Sequence, residues 1–330
     1  VGALALDPFC NTSRAIRIDV TNKLAAVSVD LDEIDCYAAI HGLDQASLLD
    51  EDARRAIYRR ALPRLARLFE RLSIPVTFFA IGRDLVHEDN RRALAGLHAQ
   101  GHEIGNHSLN HFYDLTRRER AVQRAEIAGG ADAIEAAVGV RPKGFRAPGY
   151  TVTDALLEVL AEEGALYDAS VFPCPPYYLA KVSAIAAIKL RGRTSRSIVD
   201  HPRVMFAPAE PYRIGKAYTQ RGEGLVEIPN GVTSNLTGRL PFIGTSVALA
   251  GERGARVLAG LASRRHFVSL ELHGIDLADA DEDGLTALAP HQPDLRRSAA
   301  DKEAALVAAI GTLARRGFRF VTLTDAARRL

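Results

Sequence analysis

The sequence predicts an α/β fold built on a parallel sheet or barrel, and three observations predict it. Short apolar runs alternate with longer Ala/Leu/Arg/Glu-rich segments through most of the 330 residues. The longer segments carry helix signals at their ends: Thr153 stands before Asp154 as a cap, and Gly101, Gly139, Gly164 and Gly317 stand near the stops. Hydrophobic residues make up 47% of the chain, enough to bury a large core.

Strands are expected over residues 25–29, 76–80, 267–272 and 318–323. Helices are expected over residues 52–72, 87–100, 117–138, 154–164 and 300–316. Residues 172–251 break the rhythm. They are rich in proline and glycine and read as an irregular insertion or cap. With no linker visible, residues 1–330 read as a single catalytic domain carrying that insertion.

Charge and cysteine usage exclude several classes. There are 42 basic and 40 acidic side chains, a net charge of +2, so nothing calls for nucleic acid. Cys10, Cys36 and Cys174 lie far apart and form neither a metal clip nor a disulfide framework; reduced thiols are expected. No apolar run reaches the ~18 residues of a spanning helix. No export leader is legible, although the chain begins at Val1, and a cytoplasmic protein is expected.

Four elements carry chemistry. The first is Gly-His-Glu-Ile-Gly-Asn-His-Ser-Leu-Asn-His from Gly101. His107 and His111 are four apart, and on a helical turn both imidazoles would share a face suited to one cation. Alone, the pair fits two surface histidines as well. The second is Val29-Asp30-Leu31-Asp32 at the end of an apolar run. Residues two apart on a strand point the same way, so both carboxylates share the strand's C-terminal end, where α/β active sites lie. A solvated acidic turn is the alternative, since Glu33 and Asp35 follow.

The third is Gly144-Phe145-Arg146-Ala147-Pro148-Gly149-Tyr150. Its arginine could pair with a buried carboxylate, and the Pro148-Gly149 turn could aim backbone N–H groups at an oxyanion. The fourth is His273, which closes a late strand in Leu270-Glu271-Leu272-His273-Gly274.

In this order and spacing the four elements resemble the polysaccharide deacetylase family, the NodB-homology domain of carbohydrate esterase family four. The resemblance covers roughly residues 25–324. It implies a distorted (β/α)7-type barrel with its site at the strands' C-terminal ends. It implies one divalent metal held by Asp32, His107 and His111, zinc in the first place, with cobalt, nickel and manganese as alternatives. It implies Asp30 as general base, His273 as general acid and Arg146 as the partner of Asp30. Pro148, Gly149 and Tyr150 would form the oxyanion turn, and Asp168, in Tyr167-Asp168-Ala169-Ser170, would support the pocket.

The chain departs from the family pattern in three places. The aspartates flank Leu31 instead of standing together, Gly149 separates the motif proline from Tyr150, and there is no tryptophan. Phe172 or Tyr177 is the substitute expected at the acyl pocket. The Asp-x-Asp form resembles allantoinase-like enzymes, peptidoglycan deacetylases and lipid-linked aminosugar deformylases.

Residues 177–196 interleave apolar residues with Lys181, Lys189, Arg191, Arg193 and Arg196, and Pro241-Phe242-Ile243-Gly244 adds apolar loop residues. Such a segment suits a membrane surface or a phosphate, or forms a cap helix with a solvated basic end. The expected activity is a metal-dependent deacetylase or deformylase. It would hydrolyse the N-acyl amide of an amino sugar, with a lipid-phosphate-linked or nucleotide-linked envelope precursor as the suggested substrate. The rival readings are an allantoinase-like amidohydrolase on a non-sugar amide and a non-catalytic carbohydrate-binding module.

Overall fold

The computed structural model describes residues 23–44 and 49–330; Cys10 lies outside them. Strands β1 (Leu24–Asp30), β2 (Thr77–Ala80), β3 (Glu103–Asn106), β4 (Gly144–Phe145), β5 (Tyr167–Asp168), β6 (Tyr212–Ile214), β7 (Arg221–Glu227), β8 (Phe267–His273) and β9 (Arg319–Phe320) form one sheet. Its order is β6-β7-β5-β4-β3-β2-β1-β8, with β9 against the start of β1. Every pairing is parallel except β6 with β7. The gap between β7 and β8 is filled without regular strand: Phe242 donates its N–H to the Gly231 carbonyl, and Ile243 bridges Glu271. The result is the distorted (β/α) barrel that the resemblance implies.

The helices α1 (Ile34–Ile40), α2 (Leu62–Leu72), α3 (Glu88–Ala99), α4 (Arg120–Val138), α5 (Asp154–Glu162), α6 (Pro175–Leu190), α7 (Gly244–Ala262) and α8 (Ala299–Arg315) follow local rules. On α2, Leu62, Leu65, Leu68 and Phe69 share the buried face, and Ser73 ends the helix at φ 51°. The Thr153 and Ser298 side chains cap α5 and α8 by accepting from Leu156 N–H and Asp301 N–H. On α7, Ala255, Ala259 and Ala262 keep the side chains small where it packs on α8.

The helix expected over residues 52–72 is interrupted. A π-helical turn occupies Ile57–Ala61, and the buried Glu33 carboxylate accepts the N–H groups of Ile57 and Tyr58. Periodicity cannot reveal a side chain that bonds from another element. The stretch 172–251 is less irregular than expected, since it contributes α6 and joins β6 and β7 to the sheet.

Parallel register sets the site. β1 lies in the middle of the sheet, every residue after Leu24 buried. Asp30 is the Cα partner of Phe79 on one side and of His273 on the other. Asn106 is the partner of Phe145, so His107 and Arg146 leave adjacent strands together. All the chemistry-bearing residues therefore emerge at one end of the barrel.

Candidate active site

Asp30 ends β1 and is 1% exposed. Arg146, fully buried, directs its guanidinium at it. Nη1 donates to Asp30 Oδ1 at 2.6 Å, Nη2 to Ser28 Oγ at 2.9 Å and Nε to the Ala169 carbonyl at 2.9 Å. The same guanidinium lies over the Phe79 ring, 4.3 Å from its centroid. A charge this deep persists only when paired and fully bonded, and here each nitrogen has a partner. Asp30 Oδ2 is left without a hydrogen bond.

Asp32 follows two residues on, past the buried Leu31. His107 Nε2 is 3.1 Å from Asp32 Oδ1 and 3.8 Å from Asp30 Oδ2, and His111 Nε2 is 3.3 Å from Asp32 Oδ2. The expectation of a helical turn for the histidine pair is corrected. His107 follows β3 and His111 sits on a loop, with Ser108 at φ 65° and His111 at φ 56°. Two left-handed residues curl the loop, the Ser108 hydroxyl accepts the His111 N–H, and the rings converge to 4.9 Å between centroids. Each such residue costs roughly 1–2 kcal/mol, a strain typical of functional sites.

These groups fit a divalent cation. His107 Nδ1 is 2.7 Å from the Arg146 carbonyl, which only accepts, so Nδ1 carries the proton. Burial would lower the His107 imidazole, but Asp30 and Asp32 hold it above its ordinary value, so its Nε2 faces the two carboxylates as a proton donor that a bound cation would replace. Burial holds the His111 imidazole below its ordinary value against the pull of Asp32, so it stays neutral, and its Nε2 has no hydrogen bond. Asp32 Oδ1 is likewise without one. Burial would raise Asp32, but His111 and His107 hold it well below the usual carboxylate range. Cys36, which sequence reasoning did not single out as a ligand, joins Asp32 and His111 with donor atoms all within 4.8 Å; Asp30, Glu271 and His273 form a second such group.

His273 ends β8. Its Nε2 is 3.9 Å from Asp32 Oδ2, and its Nδ1 is 2.8 Å from Glu271 Oε1 and 3.4 Å from the Tyr150 hydroxyl. Burial would lower the imidazole, but the Glu271 carboxylate outweighs it and holds His273 well above its ordinary value. Burial alone would raise Glu271; the facing His273 brings it down. Glu271 was passed over in the sequence, although its i, i+2 spacing from His273 on a strand was a usable signal.

The oxyanion turn differs in detail from expectation. Gly149 and Tyr150 both have positive φ, 64° and 58°. The Tyr150 N–H donates to the Ala147 carbonyl, so that amide is spent within the turn and the Gly149 amide is left as the candidate donor. A Cβ at Gly149 would come within 3.1 Å of the Tyr113 ring, a second reason for glycine there. Pro148 is buried and begins the turn.

Asp168 is set back from the cavity. It is fully buried, away from the residues that line the cavity. Its Oδ1 accepts from the Ser170 hydroxyl at 2.7 Å, and Ser170 Oγ accepts the Ala147 N–H at 2.8 Å. Asp168 thus braces the turn from behind, paired with the buried Glu227. Burial pushes both carboxyls up, as expected for two acids sharing a proton.

Asp32 and His273 open into a cavity of about 150 Å³ walled by Tyr37, Tyr113, Gly149, Tyr150, Tyr177, Lys181 and Ile243, among others. Tyr177 is on the wall, while Phe172 packs behind it at 4.5 Å between ring centroids. Phe242 is a core residue instead of a loop anchor. A larger polar cavity of about 630 Å³ adjoins at His111 and Tyr113 and is lined by Arg83, Arg118 and Arg196. Helix α6 has no residue buried as a whole, although the Lys181 amine is largely enclosed; it exposes Leu179, Val182 and Leu190, with Lys189 in its last turn and Arg191 and Arg193 just beyond it. Its exposed apolar side chains and the basic residues at its end therefore lie on one helix at the surface. Among the described residues no helix is long and apolar enough to cross a membrane. Cys36 and Cys174 are free thiols.

Residues 51–167 match the polysaccharide deacetylase family model. A peptidoglycan deacetylase of Helicobacter pylori is 24% identical over 160 residues, 47% of this chain and 53% of that protein. The YlxY protein of Bacillus subtilis is 28% identical over 102 residues, 31% of each. The chain therefore matches about half or less of the length of these curated relatives. Among solved structures, one from Mycobacterium smegmatis described as a polysaccharide deacetylase superposes with a TM-score of 0.61 at 19% identity, covering 94% of this chain and 91% of that one. The PuuE allantoinase superposes at 0.58 and 16% identity, covering 94% and 91%. At these identities the structural likeness concerns the fold.

Proposed function

We propose that the chain is a member of the polysaccharide deacetylase family, whose model matches residues 51–167, and that it is a metal-dependent hydrolase that removes the N-acyl group of an amino sugar. One observation carries the reading. Asp30, Asp32, His107, His111 and His273 meet at one mouth of the barrel, with Asp30 Oδ2, Asp32 Oδ1 and His111 Nε2 all lacking hydrogen-bond partners. A complete set of this kind argues against a non-catalytic carbohydrate-binding module. The described residues read as one catalytic domain with α6 as its cap.

Asp32, His107 and His111 would hold the cation, zinc in the first place. When bound it would supply Lewis-acid polarisation of the acyl carbonyl. Asp30, with Oδ1 fixed by Arg146, offers Oδ2 as general base and takes a proton from the attacking water. The water oxygen bonds to the acyl carbon, and the Gly149 amide faces the developing oxyanion. Glu271 engages His273 at Nδ1, so Nε2 is the nitrogen that hands its proton to the leaving amine as the C–N bond breaks. The products are a carboxylic acid, acetate or formate, and a free amino sugar.

Chemistry on an amino-sugar amide is supported by the likeness to a peptidoglycan deacetylase. A phosphate-linked substrate, lipid-linked or nucleotide-linked, is supported by the basic end of α6. The apolar side chains exposed on that helix support work at the inner face of the membrane. Cosedimentation with anionic vesicles at low salt checks this location, and no binding there removes it.

The test of the reaction is Asp30→Asn. Turnover of N-acetyl and N-formyl amino sugars, read by mass spectrometry, should fall at least ~10²–10⁴-fold. The variant should keep its metal, since Asp30 is not assigned as a ligand. Wild-type rates in that variant would sink the base assignment. Ammonia release from cyclic amides, with no acid released from any acylated sugar, would favour the allantoinase-like alternative.

A further inference from the structure

Lys181 is a cation inside the pocket that the proposed reaction does not use. It lies on α6, the cap helix, and lines the cavity shared by Asp32 and His273. Its Nζ donates to the Gly149 carbonyl at 2.8 Å and stands 3.8 Å from where a Gly149 Cβ would sit, directly beside the oxyanion turn. An ammonium has three protons to give, and this is the one hydrogen bond it makes among the described residues. No carboxylate there is within ion-pair distance of it.

Asp200, the acid that attracts it, accepts from the Tyr218 hydroxyl and the His201 N–H. The cavity it lines is mixed: Tyr113, Tyr150, Tyr177 and Ile243 are joined by Ser197, Thr245 and Gln292. A half-buried lysine kept for structure would be expected to pair with a carboxylate, and Lys181 does not do so among the described residues. Tyr37 adds a buried hydroxyl without a partner on the same wall.

We propose that Lys181 is a specificity-determining residue that anchors an anionic substituent, phosphate or carboxylate, on the molecule whose amide is cleaved. This rests on the reaction proposed above and narrows its substrate class to anionic N-acyl amino sugars. Two ammonium protons are left over beside a small cavity of about 150 Å³. There, a charge-assisted bond to an anion is stronger than it would be in water. Burial draws the Lys181 amine down to about 8, so it remains largely charged at neutral pH despite its surroundings. The exposed basic residues at the end of α6 are separate. Lys189 is eight residues further along, roughly 12 Å along the helix axis.

The experiment is equilibrium binding to the zinc-loaded protein of N-acetylglucosamine, N-acetylglucosamine 1-phosphate and N-acetylmuramic acid, with kcat and KM measured alongside. Wild type should bind one of the two anionic sugars at least tenfold more tightly than the neutral one, and which one it is tells phosphate from carboxylate. Lys181→Met should erase that preference while leaving the neutral sugar's Kd unchanged. Lys181→Arg should restore part of it. Equal affinities in wild type, or a preference that survives in Lys181→Met, overturn the proposal. So does a loss of kcat common to all three sugars, which would place Lys181 in the oxyanion turn instead. A preference that depends on Lys181 without acid release from any sugar overturns the assigned reaction and leaves the anion site standing.

Discussion

Glu271 and His273 stand two residues apart on β8, face the same side of the sheet and meet at 2.8 Å between Oε1 and Nδ1. The contact makes Glu271 a positioning residue for the proposed acid. Glu271→Gln keeps the shape and removes the charge that raises His273. A general acid must be protonated to act, so the alkaline limb of the kcat/KM profile reports its pKa. In Glu271→Gln that limb should move to lower pH by about one unit or more, with kcat at pH 8 down about tenfold. An unmoved limb would separate Glu271 from the acid.

The cation assignment predicts a division among four side chains. His111→Ala and Asp32→Asn should lower bound zinc, measured by elemental analysis after dialysis, well below one per chain, while Asp30→Asn should retain it. Outer partners change metal affinity by ~10–100-fold, and ligands by more. Cys36→Ser is the informative fourth variant, because Cys36, Asp32 and His111 bring donor atoms within 4.8 Å. Unchanged zinc content there would make Cys36 a bystander.

Arg146 joins the site to the core. Arg146→Met strands Asp30 as an unpaired buried carboxylate and leaves Ser28 Oγ and the Ala169 carbonyl without their donor. Breaking a buried pair in this way costs about 3–5 kcal/mol. Urea denaturation should show that loss. The double variant Arg146→Met, Asp30→Asn should recover part of the stability and none of the activity.

Lys181 links function to stability with a definite sign. Its folded-state pKa, about 8, lies below the 10.5 of a free lysine. As pH falls below 10.5 the unfolded chain takes up the proton first, so the folded state loses stability between about 10.5 and 8, and the loss is complete below 8. At pH 7 the buried charge is a burden of up to about 3 kcal/mol, by 1.36 kcal/mol per pKa unit. Lys181→Met should thus be more stable than wild type at pH 7 by about 1–3 kcal/mol, after the lost bond to Gly149 is allowed for. The difference should shrink between pH 8 and 10.5. Denaturant titrations at pH 7 and 10 measure it, and a less stable variant at pH 7 would contradict the burial argument.

Much of this protein was decided by its sequence alone. Alternating apolar runs and capped helical segments specify the α/β class, because strand and helix periodicities and cap chemistry are local properties. Asp30, Asp32, Arg146 and His273 were legible because each stands at the C-terminal end of a short apolar run, where barrel sites form. His107 and His111 were legible as a pair, but a four-residue spacing fits a helix and a curled loop equally. Only the left-handed Ser108 and His111 show which it is.

Tertiary structure alone decided the rest. The register of β1 against β8 sets Asp30 beside His273, across some 240 residues of chain. Folding the cap helix over the barrel brings Lys181 to the Gly149 carbonyl, and packing withdraws Asp168 behind Ser170. The physical reason is common to all three. Charge–charge and hydrogen-bond energies depend on separation in space and on burial, and neither is encoded in spacing along the chain.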